Sequence, residues 1–202
     1  MVDFINKAKK IMQNELLCFG SMLIALIYGV YYLDLYDPLQ YSLSEIGRLS
    51  HTSLFIIWSL LAGIALFLNV NRMYDRVGYK AKLGRVLLYS GLFFLVVTFA
   101  NMSREPFWYW MHVVTAVLFS VFALFSVALG LLEMWKKSLR YRILSIAFFV
   151  LCFIDIVLLA IFTQMALYEF IPLVLVYIVL FFVNFTETFK PNKDNEHITY
   201  IK

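Results

Sequence analysis

The sequence predicts an all-α polytopic integral membrane protein: a bundle of six transmembrane helices with both termini in the cytoplasm. Three observations carry that prediction. The chain is 63% hydrophobic and 15% charged, with a mean hydropathy of +0.82, whereas a soluble domain has about 45–50% apolar and about 25% charged residues. Its long apolar stretches approach or reach the ~20 residues needed to cross about 30 Å of hydrocarbon. Lysine and arginine, finally, are concentrated in alternate linkers. Only helices satisfy their own backbone within one segment in lipid, and these runs are too long for barrel strands.

The spans read, in order, Leu16–Leu33, Ser53–Val70, Val86–Ala100, Met111–Met134, Ile143–Phe162 and Ile171–Phe189. The third is short at those limits and extends back towards Leu83. Short linkers make residues 1–190 one transmembrane domain, and residues 191–202 form a polar cytoplasmic tail. The first span follows a basic stretch, "NKAKK", as a signal peptide would. It is longer than a typical h-region and lacks a small-residue cleavage site after Tyr31 and Tyr32, so it reads as an uncleaved anchor.

Basic residues occupy "NKAKK", "NRMYDRVGYKAKLGR", "KKSLRYR" and the tail, while the other three linkers hold only Arg48 and Arg104. The positive-inside rule then places both termini in the cytoplasm of a cell-membrane protein. The net charge of +4 is a consequence of topology and calls for no nucleic acid. The expected partners are membrane lipids, with another membrane protein or a second copy as the alternative. Cys18 and Cys152 lie inside spans and form no CxxC pair, which speaks against disulfide exchange, thiolate metal clusters and haem attachment. No cofactor and no metal are expected.

Polar residues crowd the outer mouth of the second span in "PLQYSLSEIGRLSH". Ser42-Leu-Ser-Glu45 has the S-x-x-E form of a capping box, which starts a helix at Ser42 that projects about two turns ahead of the apolar run. Pro38 fits a turn before it. Ser44, Arg48 and His51, at i, i+4 and i+7, share one helix face, and Glu45 lies within reach of Arg48. On the same side, "NMSREPFWYWMH" brings Asn101, Arg104, Glu105 and His112 to the start of span four. Trp108, Tyr109 and Trp110 there read as an interfacial aromatic belt. Ala116, Ser120 and Ala123 below them make a small-residue stripe.

Asp155 interrupts the apolar run of span five. An aspartate near a helix centre costs about 2.5–3.5 kcal/mol on insertion scales, so it is expected to face the bundle and to have a partner. Asn69, Asn71, Asn184 and Glu187 fall at the cytoplasmic ends, where snorkelling or capping accounts for them.

Together Ser44, Glu45, Arg48, His51, Arg104, Glu105, His112 and Asp155 make the candidate ligand-binding set, lining a polar cavity that opens outward between spans two, four and five. Both signs of charge suit a zwitterionic or anionic headgroup, and each arginine can hold a phosphate or carboxylate bidentately. Several members also have a plain structural use: capping, with Ser42, for Glu45, pairing with each other for Arg104 and Glu105, packing for His112, interhelical glue for Asp155.

The motifs "PLQYSLSEIG" and "REPFWYWMHVVTA" resemble a group of bacterial six-to-seven-span membrane proteins allied to the eukaryotic DRAM and Frag family. The resemblance covers the arrangement of most of the chain and singles out Ser44, Glu45, Gly47, Pro106 and His112. It implies lipid or lipid-anchor chemistry without fixing a reaction. A rival reading is an intramembrane metal hydrolase similar to the ceramidase and adiponectin-receptor superfamily. His51 and His112 with Glu45 or Asp155 would then supply a three-ligand site with an open position. No HxxxH pair supports it. A retinal protein lacks its mid-span lysine here, and a serine hydrolase its G-x-S-x-G. A membrane subunit that only binds a partner is the third reading.

Overall fold

The computed structural model describes residues 13–49, 52–100, 105–135, 138–161 and 165–189. Within them the elements are α1 (Glu15–Leu33), α2 (Leu43–Leu49), α3 (Thr52–Val77), α4 (Lys82–Ala100), α5 (Pro106–Glu133), α6 (Leu139–Ile161) and α7 (Ala166–Phe185), followed by a 3₁₀ turn, Glu187–Phe189. All of the α-helices except α2 are long and apolar enough to cross a membrane. The chain is a multi-pass integral membrane protein with six spans. His51, Asn101, Arg104 and the tail from residue 191 lie outside the described residues.

The helices outrun the apolar stretches that announced them. Helix α3 continues to Val77 instead of stopping at Val70; α5 starts at Pro106 rather than Met111, and α6 at Leu139 rather than Ile143. Helix α7 is shifted the other way, from Ala166 to Phe185 instead of Ile171 to Phe189. Hydropathy marks only the hydrocarbon segment, while the backbone ladder runs on until a cap stops it. Asn14 begins α1 by accepting the Leu17 N–H at 3.1 Å. Gly78, at φ +73°, ends α3, and the Tyr79 N–H closes back on the Tyr74 carbonyl at 2.9 Å. That is the Schellman pattern, which needs a residue able to take a left-handed conformation. The shift of α7 also puts Pro172 inside the helix instead of at its start, so one backbone bond is missing there.

The expected single helix from Ser42 into span two is two described pieces, α2 and α3, with residues 50 and 51 between them outside the description. Helix α3 is the centre of the bundle and packs against α1, α2, α4, α5 and α7. Of its most apolar window 56% is buried, against 17% for α6, the span most open to lipid. Helices α4 and α5 form the most extensive pair.

Apolar side chains gain little from leaving lipid for protein, so close packing and interhelical hydrogen bonds position these helices. At the α2 end Tyr32 stacks on Trp58 with centroids 5.8 Å apart and planes 9° off parallel. Trp58 Nε1 donates to the Ala25 carbonyl at 3.2 Å, tying α3 to α1. Midway down, Tyr177 of α7 donates to the Ala62 carbonyl of α3 at 3.0 Å.

Candidate functional site

Helix α2 is held at both termini. The Glu45 N–H donates to Ser42 Oγ at 3.2 Å, and the Ser42 N–H donates to Glu45 Oε2 at 2.9 Å. This is the reciprocal capping box expected from the sequence. Two neighbouring spans then grip Leu43. Tyr32 of α1 donates its hydroxyl to the Leu43 carbonyl at 2.8 Å, and the Leu43 N–H donates to Glu169 Oε2 of α7 at 2.9 Å. The head of α7 is pinned to the same loop, because the Ala166 N–H donates to the Tyr41 carbonyl at 2.7 Å. At the other terminus the Thr52 hydroxyl donates to the Gly47 carbonyl at 2.9 Å. Gly47 allows the close approach, since a Cβ there would lie 2.9 Å from the Phe55 Cβ and 3.1 Å from the Tyr32 hydroxyl.

These ties aim Arg48 at α5, where its guanidinium carbon sits 4.9 Å from the centroid of the Tyr109 ring. Such a cation–π contact fixes the plane of the group without using its N–H donors. Nε and Nη2 are enclosed and have no hydrogen-bond partner among the described residues. They lie on one edge of the guanidinium, and parallel donors of that kind match the two oxygens of a carboxylate or phosphate. The expected Glu45–Arg48 pair does not form: the Glu45 carboxylate turns back onto its own cap while Arg48 turns onto Tyr109.

His112 lies one turn beyond Tyr109 on α5 and is 3% exposed. Its Nδ1 is 3.0 Å from the Thr98 carbonyl oxygen of α4, and the Thr98 and Thr115 hydroxyls meet beside it at 2.9 Å. The charge acting on the ring is that of Arg48. Ser44 is half-buried, with its Oγ 3.3 Å from the Ser42 hydroxyl. Glu105 is exposed at the N-cap of α5. Thus Arg48 alone of the α2 set is shown against α5, over Tyr109 and one turn from His112, while Ser44 and Glu45 bond back to Ser42.

Asp155 faces the bundle at 4% exposure, as the cost of a charge towards lipid demands. The partner expected for it does not appear on one side of the carboxylate, because Oδ1 is enclosed without a donor. No hydrogen bond or ion pair joins Asp155 to Glu45, Arg48 or His112.

The opposite end of the bundle corrects the sequence reading. Asn69 and Asn184, expected at snorkelling or capping positions, are fully buried. Asn69 donates to the Cys18 carbonyl of α1 at 2.9 Å, and Asn184 of α7 donates to the Asn69 carbonyl at 2.8 Å, so the two join three helices. Asn71 is buried too and donates to the Phe67 carbonyl of its own helix at 2.8 Å. This end also holds charges of both signs in contact. Arg72 bonds the Gln13 carbonyl and Glu15 at the head of α1. Arg76 donates to the Asn184 and Thr186 carbonyls at 2.9 and 2.7 Å, closing the last turn of α7. Arg140 and Tyr141 of α6 hold the following carbonyls, Thr188 at 3.0 Å and Phe189 at 2.8 Å.

Two contributors to the α2 corner were missed from sequence. Glu169 announces itself only as an acid in the first turn of a span, and Tyr109 is indistinguishable there from its belt neighbours Trp108 and Trp110. Compared with protein-family models, curated proteins and solved structures, the chain gives no match.

Proposed function

We propose that this membrane protein binds an anionic group, a phosphate or carboxylate carried by a lipid headgroup or a small polar ligand, at the corner formed by Arg48, Tyr109 and His112. One observation carries the reading: a guanidinium held over an aromatic ring keeps two adjacent buried donors without partners. A buried donor left unpaired is costly, and a bidentate oxyanion removes that cost at Nε and Nη2 together. Ser44 supplies a hydroxyl on the same short helix, and the capping box keeps Glu45 from neutralising the arginine.

The corner faces outward and both termini are cytoplasmic. The loop containing Lys80, with the arginine-rich end around Arg72 and Arg76, fits the side on which basic residues collect. Cysteine placed by Lys80→Cys should stay unlabelled by an impermeant maleimide added to intact cells, and labelling there would reverse the orientation.

The binding reading is tested by native mass spectrometry in nanodiscs containing phosphatidylglycerol, with soluble glycerol phosphate as a competing ligand. Arg48→Gln should weaken retention of the phospholipid about 10–100-fold, the equivalent of about 1.5–3 kcal/mol for charge-assisted bonds. Displacement by glycerol phosphate would assign the site to a soluble anion, and unchanged retention in the variant would overturn the reading. For His112 a packing role is favoured, since its ring nitrogen meets the Thr98 carbonyl of α4. For the hydrolase alternative, no three His, Cys, Asp or Glu among the described residues come together as metal ligands.

A further inference from the structure

A buried carboxylate on α6 has no ion-pair partner among the described residues. Helix α6 presents one buried stripe, Tyr141, Ser145, Phe148 and Asp155, and leaves the rest of its surface to lipid. The polar member before Asp155 is already satisfied, because Ser145 donates to the Tyr141 carbonyl of its own helix at 2.7 Å. Asp155 is not: among the described residues Oδ1 is enclosed without a donor, and the side chain takes part in no ion pair. Helix α6 packs chiefly on α5 and α7. Helix α7 contains no Lys, Arg or His, α5 has none after His112, and α6 has none after Arg142. Among the described residues, then, nothing pairs with this acceptor, and the α5 and α7 segments beyond His112 carry no cation to offer it.

We propose that Asp155 is the anionic half of a second binding site, whose ligand is an amphiphile bearing a protonated amine. An ammonium supplies both missing quantities at once, an N–H donor for Oδ1 and a positive charge, where a hydroxyl supplies only the first. The source is the bilayer. Asp155 lies six residues before the end of α6, about 9 Å below it. Its neighbours Ile154 and Ile156 are 46% and 58% exposed to lipid, so an alkyl chain can lie along α6 while its amine turns inward. Among the described residues no hydrogen bond or ion pair joins this site to Arg48, and the site does not depend on the reading of that corner.

Cys152, half-buried one turn before Asp155 on the same stripe, is a built-in reporter. The experiment uses the full chain in phosphatidylcholine nanodiscs, with Cys18→Ala leaving Cys152 as the single thiol. Four probes are compared: hexadecylamine, hexadecanol, hexadecyltrimethylammonium, which has the charge but no N–H, and water-soluble ethanolamine. Hexadecylamine should bind the unaltered chain at least tenfold tighter than hexadecanol by native mass spectrometry. It should also slow alkylation of Cys152 by N-ethylmaleimide about fivefold or more, with hexadecyltrimethylammonium weaker and ethanolamine without effect. Asp155→Asn should bring the amine down to the level of the alcohol while phosphatidylglycerol retention through Arg48 stays unchanged. Equal binding of amine and alcohol to the unaltered chain would overturn the site, and that comparison needs no substitution at Asp155. Survival of the amine preference in Asp155→Asn would overturn it as well. Protection by ethanolamine equal to that by hexadecylamine would overturn the lipid origin of the ligand.

Discussion

Arginine does different work at the two ends of this bundle. At the end where α1 starts and α7 stops, Arg72 and Arg76 each have both terminal nitrogens bonded to a neighbouring helix end. Each of them leaves only a single enclosed Nε without a partner. At the α2 end Arg48 is positioned by the face of Tyr109, and an adjacent donor pair, Nε and Nη2, goes unmatched. The same side chain closes helix termini in one place and, in the function we propose, receives an oxyanion in the other. What distinguishes them is whether backbone carbonyls lie within reach. Helix ends left without caps supply such carbonyls, and α7 stops beside Arg76.

Breaking the arginine end should cost the most stability. Arg76→Met removes two charge-assisted bonds that close the last turn of α7, an expected loss of about 2–4 kcal/mol. Thermal unfolding in detergent measures it, and ligand retention at the α2 end should survive in whatever fraction stays folded. Next comes Gly47→Ala. Its methyl would displace Phe55 or the Tyr32 hydroxyl, for about 1–3 kcal/mol of overpacking, and the shift of α2 should also weaken binding through Arg48. Loss of stability without loss of binding in that variant would show that α2 does not aim the arginine. Smallest is Ser42→Ala, worth about 1 kcal/mol of cap. Hydrogen exchange should speed up at the first-turn amides of α2 while the six spans keep their protection, and uniform loss of protection would mean that α2 does not fray as a separate unit.

The six spans were legible because hydrocarbon imposes both a length and a composition on any segment that crosses it. Helix limits were less legible, since interfacial residues such as Leu139 and Ala166 belong to the helix without belonging to the apolar run. Ser42 and Glu45 could be read because a capping box is local, four residues long and reciprocal. Arg48 on Tyr109 could not, because that contact joins separate helices and the sequence offered a nearer partner, Glu45, at the right helical spacing. Asn69 and Asn184 misled for a related reason. An asparagine near the end of a span looks interfacial until the helices are assembled and α3 turns out to occupy the centre.

The contrast between the two kinds of arginine is tested most directly by one pair of conservative variants under one ligand. A lysine keeps the positive charge but loses the planar two-donor edge. The measurement is the rise in thermal midpoint that phosphatidylglycerol produces in Arg48→Lys and in Arg76→Lys, each against its own lipid-free midpoint. Arg48→Lys should lose most of the rise while its lipid-free midpoint stays near that of the unaltered protein. Arg76→Lys should start from a lower midpoint and keep the full rise. The opposite pattern, with the lipid response surviving at Arg48→Lys and vanishing at Arg76→Lys, would contradict the assignment of the α2 end as the ligand-binding one.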